Sequence, residues 1–486
     1  MTLHTYIPQD RLRALARGET LSDRTTGSAL FADISGFTPL TEGLRDSLGP
    51  RRGGEELSKH LGIVYTALIA EVEKYGGSVI NFAGDAITCW FDDANGPATP
   101  RAVSCALALQ EAMKSFSAIA LTLKVAVATG PARRFMVGDP TVHYMDSIAG
   151  GTVARTSTAE HLATKGDVLI DEATVNILGE KLSIKEWRED SESHERFAVI
   201  GKSEWHFDLR LEQSAAIRPP APNKLRVWLH GAVYEREQAG DESFLTEFRP
   251  CVALFMRFIG IDYDADVAEK QLDTFIRQAQ SIVERYDGTF LQITIGDKGS
   301  YAYINFGALS VHEDNARRAV KTALDLKKAA EGLGFLQPLQ MGITQGILRV
   351  GAYGGKTRST FGALGDEVNL SARLMTNAIA GEILLSGHVH KAVANDFSFE
   401  PRAPLAMKGK AEPLPVFAVT GERQQRAIRL QEPTYGLPMV GRTQELQVIN
   451  DKLDLAEQGK GQVIGIIAEA GMGKSRLVAE VIRARP

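Results

Sequence analysis

Two aspartates stand where strand-like runs end. Asp33 closes the apolar run Ala29–Ala32 inside GSALFADISGFTPLTEGL (Gly27–Leu44), and Asp85 follows Gly84 between the apolar halves of SVINFAGDAITCWF (Ser78–Phe91). Two carboxylates at strand tips suit a pair of magnesium ions held against a phosphate, because hard cations take oxygen ligands and the phosphate supplies the rest. The backbone amides of ISGFT (Ile34–Thr38), Gly36, Phe37 and Thr38 among them, sit at a turn entering a helix, where they can cradle a polyphosphate. Far along the chain, Asn369 and Arg373 are four apart on an expected helix and so share a face. A guanidinium is a rigid fork of donors matched to phosphate oxygens, and an amide can hydrogen-bond a sugar ring or hydroxyl. Each feature alone has an ordinary explanation: D-x-S-G is common turn chemistry, and an Asn/Arg pair at helical spacing usually faces solvent.

An internal repeat makes them informative. ALFADISGF (Ala29–Phe37) lies over ALFMRFIGI (Ala253–Ile261). An amphipathic segment ending at Gly77 matches one ending at Gly288, and strand pairs around a Gly-Asp step follow in both. A second helical stretch comes next (Pro100–Phe116 and Asn315–Ala330), then LKVAVATG against LQMGITQG. GGTVARTSTAEHLATKGDVLI (Gly150–Ile170) finally lies over GDEVNLSARLMTNAIAGEILL (Gly365–Leu385), at an offset of about 215 residues. The order strand, helix, strand, strand, helix, strand predicts two α+β domains of ferredoxin-like (βαββαβ) form. Residues 1–24 are an N-terminal extension, 25–213 the first domain, 214–224 a proline-rich linker and 225–422 the second domain. Residues 423–486 hold a further linker and the start of another domain.

The copies differ where chemistry would occur. Asp33 is matched by Arg257, Asp297 is displaced by one residue from Asp85, and Asn369 and Arg373 are matched by Ala154 and Thr158. Each copy keeps the half the other lacks. Head-to-tail packing then predicts two clefts. One receives Asp33, Asp85, Asn369 and Arg373; the other receives Arg257, Ala154 and Thr158 and is chemically empty.

Composition is compatible with this. The 486 residues are 44% hydrophobic and 24% charged with a net charge of −5, so nothing argues for nucleic acid or an acidic membrane surface. No apolar stretch suggests a membrane span, and the polar N-terminus lacks a signal-peptide core. Cys89, Cys105 and Cys251 show no CxxC spacing and fit a reducing cytoplasm. His143, His161, His388 and His390 have no metal spacing, and Tyr144 and the phenylalanines are expected to pack rather than to stack on a nucleotide.

FADISGFTPLTE, NFAGDA, GDEVNLSARL and LAMKGKAEPLPVFAV together resemble the class III nucleotidyl cyclases, over about residues 25–420. The fused pair followed by an ATPase start is similar to the soluble adenylyl cyclase family. The resemblance implies that the 3′-hydroxyl of ATP or GTP attacks its own α-phosphate, yielding a cyclic nucleotide and pyrophosphate. It implies two Mg2+, which Mn2+ can replace, held by Asp33, Asp85 and the Ile34 carbonyl. Asn369 would orient the ribose, Arg373 stabilise the transition state, and Lys408, ahead of Lys410, hold the terminal phosphates. Gly36, Phe37, Thr38 and Gly84 would line the substrate. The catalytic unit would be a monomer with an intramolecular pseudo-dimer.

The chain departs from that pattern at the base. Where adenylyl cyclases place a lysine there is Gln292, and the second base reader, an Asp or Thr seven residues before the asparagine, is Gly362. An amide both donates and accepts, so ATP and GTP both stay open. An alternative is a weak or inactive nucleotide-binding module that regulates an attached ATPase. Bicarbonate-responsive relatives carry a lysine at Asn81 and an arginine near Ser157. Arg155 is two positions off, on a different helix face, so bicarbonate regulation is not carried over.

GQVIGIIAEAGMGKSRLVAEVI (Gly461–Ile482) reads as strand, small-residue loop and helix, the context of a phosphate loop. Gly471 and Gly473 would free the backbone, Lys474 reach the terminal phosphates and Ser475 the magnesium, with Ala468 at the motif's first glycine. PMVGRTQEL before it resembles the entry to signalling ATPases of the AAA/STAND kind. The segment is expected to be an incomplete ATPase domain without activity of its own.

Overall fold

The computed structural model describes residues 3–119, 121–201, 219–240, 247–296, 299–405, 413–423, 439–468 and 473–484. Met1–Glu422 form one compact unit and Arg423–Pro486 a second. The first lobe runs α1 (Gln9–Arg17), β1 (Arg24–Ser35), α2 (Phe37–Leu48), α3 (Pro50–Lys74), β2 (Ser78–Ala83), β3 (Ala86–Asp92), α4 (Ala98–Met113), β4 (Thr122–Val137), β5 (Met145–Ala149), α5 (Gly151–Leu162), β6 (Val168–Asp171), α6 (Glu172–Leu178), β7 (Ile184–Glu189) and β8 (Arg196–Ile200). Two short helices follow, α7 (Pro222–Leu225) and α8 (Gly231–Ala239). The second lobe runs β9 (Glu247–Phe258), α9 (Ala268–Arg285), β10 (Thr289–Gly296), β11 (Gly299–Phe306), α10 (Asn315–Glu331), β12 (Gln340–Gly354), β13 (Ser359–Leu364), α11 (Asp366–Asn377), β14 (Ile383–Ser386), α12 (Gly387–Val393), β15 (Phe397–Leu405) and β16 (Leu414–Glu422).

The two lobes repeat one topology. The sheet orders are β2-β3-β1-β4-β6-β8-β7 and β10-β11-β9-β12-β14-β16-β15, with β5 and β13 paired off to the side on β4 and β12. The first four strands of each order give the ferredoxin-like core read from the repeat. β1 sits between β3 and β4, which is why Ala29, Leu30, Ala32 and Ile34 are all buried. The repeat extends to register: Asp33 lies opposite Lys124, and Arg257 lies opposite Gln340.

The lobes are joined by exchanged hairpins. β4 and β5 stay paired in the first sheet, and their far ends reach the other lobe, where Phe135, Val137, Met145 and Ala149 complete the apolar core around α9 and α10. In return Tyr353, near the end of β12, joins the core of the first lobe beside Tyr65 and Phe82. The loop after β12 carries Arg358, which is 5% exposed. Its Nε and Nη2 donate to the carbonyls of Val79 and Ile80, both at 3.0 Å. There the β2–β3 ladder shifts register between Val79 and Asn81, so the guanidinium serves carbonyls at a lapse in strand pairing. Burial pulls its pKa down to about 10, still well above neutral pH. Arg358→Met is expected to lower unfolding stability by about 2–4 kcal/mol, read as a shift in the urea midpoint.

The N-terminal extension is part of this body: Ile7 and Leu12 are buried against Leu225 of α7. In the second unit, α13 (Thr443–Glu457) and α14 (Lys474–Ala484) are helical, but residues 461–468 form no strand, contrary to the phosphate-loop reading. Val463 and Ile467 are fully exposed there. A strand needs a neighbour for its N–H and C=O groups, and none of the described residues pairs with this run.

Candidate active site

Asp85 is positioned by a hairpin. Ala83 pairs with Ala86, so Gly84 and Asp85 form a two-residue turn, and Gly84 takes φ 66°, a backbone conformation that glycine adopts at no steric cost. Tyr65 of α3 donates its hydroxyl to the Gly84 carbonyl at 2.8 Å, and the Ile34 amide donates to the Asp85 carbonyl at 3.2 Å. The turn is thereby tied to the strand that carries Asp33. Gly36, at φ 100°, ends β1 and lets α2 begin at Phe37. The side chains of Phe37 and Thr38, like Lys408, lie outside the described residues.

Asp33 and Asp85 line a cavity of about 500 Å3 with walls from both lobes; Gln292, Tyr353 and Asn369 come from the second. The cavity runs on to Ser157, His161 and Arg257. The two clefts expected from sequence are therefore one continuous space. Its lining includes Ala29, Ala83, Gly296, Gly299 and Ala363, which project too little to partition it. The far end is not chemically empty either. Arg257 approaches Gln340 Oε1 at 3.3 Å, and its Nε has no hydrogen-bond partner among the described residues.

Asp33, Asp85 and Asn369 thus face one space. Arg373, one turn further along α11, is exposed and is not among the lining residues. Gln292 lines the cavity and donates Nε2 to Thr294 Oγ1 at 2.9 Å. Gly362 is covered: a Cβ there would meet Tyr353 Cε1 at 2.9 Å. Asn81 donates across the seam to the Ile293 carbonyl at 2.9 Å, and Arg155 is bound to Asp171 at 2.9 Å, a structural pair. Tyr144 packs on Trp228, and His390 stacks on Phe417, as packing rather than ligand residues. In the second unit, Lys474 Nζ donates to the Ala468 carbonyl at 2.7 Å and Gly473 has φ 80°. Gly471 and the Ser475 side chain lie outside the described residues.

Two charged residues beside Asp33 escaped the sequence reading. Lys124 Nζ lies 3.2 Å from Asp33 and also forms an ion pair with Glu160 of α5. The signal was the cross-strand register, which sets Lys124 beside Asp33 and in the other copy exchanges the pair for Arg257 and Gln340. Burial opposes the charge on Lys124, but Glu160 and Asp33 overcome it and hold the ammonium above its ordinary range. Burial likewise raises the Asp33 carboxyl, with Lys124 opposing and Glu160 adding to the rise. Burial, then the charge of Asp33, pushes Asp85 up to about 7.

The donor set fits divalent cations. Two desolvated carboxylates that repel each other are stabilised when a hard cation sits between them. Among the described residues no three His, Cys, Asp or Glu side chains form a metal cluster.

The family described as "Adenylate and Guanylate cyclase catalytic domain" matches residues 23–207 and 263–421, more than half of the chain. The chain belongs to this family. Among curated proteins it is 22% identical over 494 residues to adenylate cyclase type 10 of Rattus norvegicus, covering 94% of this chain and 30% of that one. The human protein of the same name is 21% identical and is covered to 31%. The chain thus spans about a third of the length of these relatives. A solved class III adenylyl cyclase-like ATP-binding protein from Pseudomonas aeruginosa aligns over 76% of this chain and 85% of its own, with a TM-score of 0.51 and 15% identity. That likeness covers both lobes and concerns the fold.

Proposed function

We propose that the chain is a nucleotidyl cyclase, converting ATP or GTP to the 3′,5′-cyclic nucleotide and pyrophosphate in the shared cavity. The supporting observation is that Asp33 and Asp85 of one lobe and Asn369 of the other line the same space. Asp33, Asp85 and the Ile34 carbonyl would hold two magnesium ions, or manganese in their place, which would polarise the α-phosphate and lower the pKa of the attacking hydroxyl. Asn369 orients the ribose. The 3′-oxygen bonds to the α-phosphorus, the bond to the leaving pyrophosphate breaks, and the hydroxyl proton passes to solvent. Backbone amides at Gly36–Thr38 cradle the phosphates beside Gly84, and Lys408 holds their far end. Arg373 meets the charge that develops at the α-phosphate. Lys124, which pairs with Asp33 and with Glu160, would add a positive charge beside the carboxylates that hold the metals. Gln292 faces the base, with the Gly362 position behind the Tyr353 ring.

The domain limits read from sequence belong to the same proposal. So does the assignment of Gly471, Gly473, Lys474 and Ser475 to an attached ATPase. A cytoplasmic setting is supported by Cys89, Cys105 and Cys251 being buried and unbridged. No described helix is long and apolar enough to cross a membrane.

A second reading, a weak or inactive regulatory nucleotide-binding module, is favoured by the Lys124 pairing on Asp33 and by Arg373 standing outside the lining. Incubation with ATP or GTP, each with Mg2+ or Mn2+, separates the two. Cyclic product is expected. Nucleotide binding by calorimetry with no product under any metal would establish the second reading instead.

A further inference from the structure

The base end of the cavity lacks a side chain at residue 362, and a tyrosine lies in its place. β12 and β13 pair with Gly351 opposite Gly362 and Tyr353 opposite Thr360, which makes Tyr353 the diagonal neighbour of Gly362. A Cβ added at Gly362 would come within 2.9 Å of Tyr353 Cε1 and 3.6 Å of its hydroxyl. The phenol rests on the glycine and occupies the space into which a side chain at 362 would grow. The first lobe clamps the same ring, with Phe82 edge-on at 5.8 Å and Tyr65 at 6.5 Å.

Neighbouring phenols are committed. Tyr65 donates to the Gly84 carbonyl at 2.8 Å and Tyr303 to the Ala363 carbonyl at 3.1 Å. Tyr353 lines the cavity with Gln292 and Leu364, and its hydroxyl makes no hydrogen bond among the described residues. A polar group enclosed this far ordinarily has a partner, and one aimed into a cavity takes it from whatever enters. Burial holds the phenol well above the ordinary tyrosine range, so the hydroxyl keeps its proton and can both donate and accept.

We propose that Tyr353 determines base recognition: its hydroxyl, with the Gln292 carboxamide, hydrogen-bonds the edge of a purine ring in place of the side chain that Gly362 lacks. The inference rests on the cavity being a nucleotide site. Tyr353→Phe keeps the ring and removes only the hydroxyl. Calorimetry with Mn2+ and three probes isolates the contact: a non-cyclisable ATP analogue, its GTP counterpart and inorganic tripolyphosphate. Binding of at least one nucleotide is expected to weaken about fivefold, with tripolyphosphate unchanged. A loss confined to one purine also supports the assignment and names the base. Unchanged binding of both nucleotides, or an equal loss for tripolyphosphate, would overturn it. If Tyr353→Phe melts early, Gly362→Ala serves, because its methyl pushes the phenol aside from the other strand; the same selective loss is expected. Wild-type turnover with no effect of either substitution would sink this inference alone. Selective loss in a protein that cyclises neither nucleotide would sink only the proposed activity.

Discussion

Asp33→Asn is expected to lower cyclic nucleotide formation by about 1000-fold while leaving the melting temperature within a few degrees of wild type. The exchange preserves shape and strand pairing and removes one negative charge from the cavity. Lys124 keeps its second carboxylate, Glu160, so no ammonium is stranded. The loss then falls on divalent-cation binding and on the charge balance around the phosphates. A second effect serves as an internal check. The charge of Asp33 helps to raise Asp85, so the Asp85 carboxyl should move down toward the ordinary range in the variant. A rate within tenfold of wild type would remove Asp33 from the mechanism. An early melt would show that its role is structural.

How much of this could be read from the sequence depended on where each signal lay. β1 and its acid tip were legible because the apolar run Ala29–Ala32 recurs at Ala253–Met256, and because the copies diverge at Asp33 and Arg257. Divergence at four positions implied a site shared between the lobes. The joining of two clefts into one was not legible, since it depends on small residues such as Ala83 of one lobe and Gly296 of the other lining the same space. Lys124 and Glu160 sit in an ordinary strand and an ordinary helix. Only the β1–β4 register and the placement of α5 make them one cluster with Asp33. Tyr353 reads as a strand residue. Its place beside Gly362 follows from the β12–β13 hairpin, and its clamping follows from a core that belongs to the other lobe. The missing strand at 461–468 illustrates the converse: a local apolar pattern does not make a strand without a partner to complete its hydrogen bonds.

The acid pair also makes metal binding and stability depend on pH in opposite ways. Asp85 ordinarily titrates near 3.8 and is raised to about 7 in the folded protein. Between those values the folded state holds more protons than the unfolded one. The contribution of Asp85 to stability is therefore fully present below its unfolded pKa and is lost as pH rises through about 7. Asp33 shifts in the same direction and adds to the trend. In chelator, the melting temperature is expected to fall between pH 6 and pH 8. Divalent cations reverse the trend because they bind the deprotonated pair and displace its proton. Apparent Mn2+ affinity should weaken about tenfold per pH unit below 7 for each proton displaced, and saturating Mn2+ should restore the melting temperature at pH 8. Asp85→Asn should flatten most of the chelator profile and weaken the rescue together, because Asp85 carries the larger shift and is one of the two proposed ligands. Melts with and without Mn2+ across this range, paired with calorimetric titration, measure the two arms separately. A Mn2+ affinity that does not change from pH 6 to pH 8 would mean that the cation is bound without Asp85, and the proposed pair of ligands would fall with it.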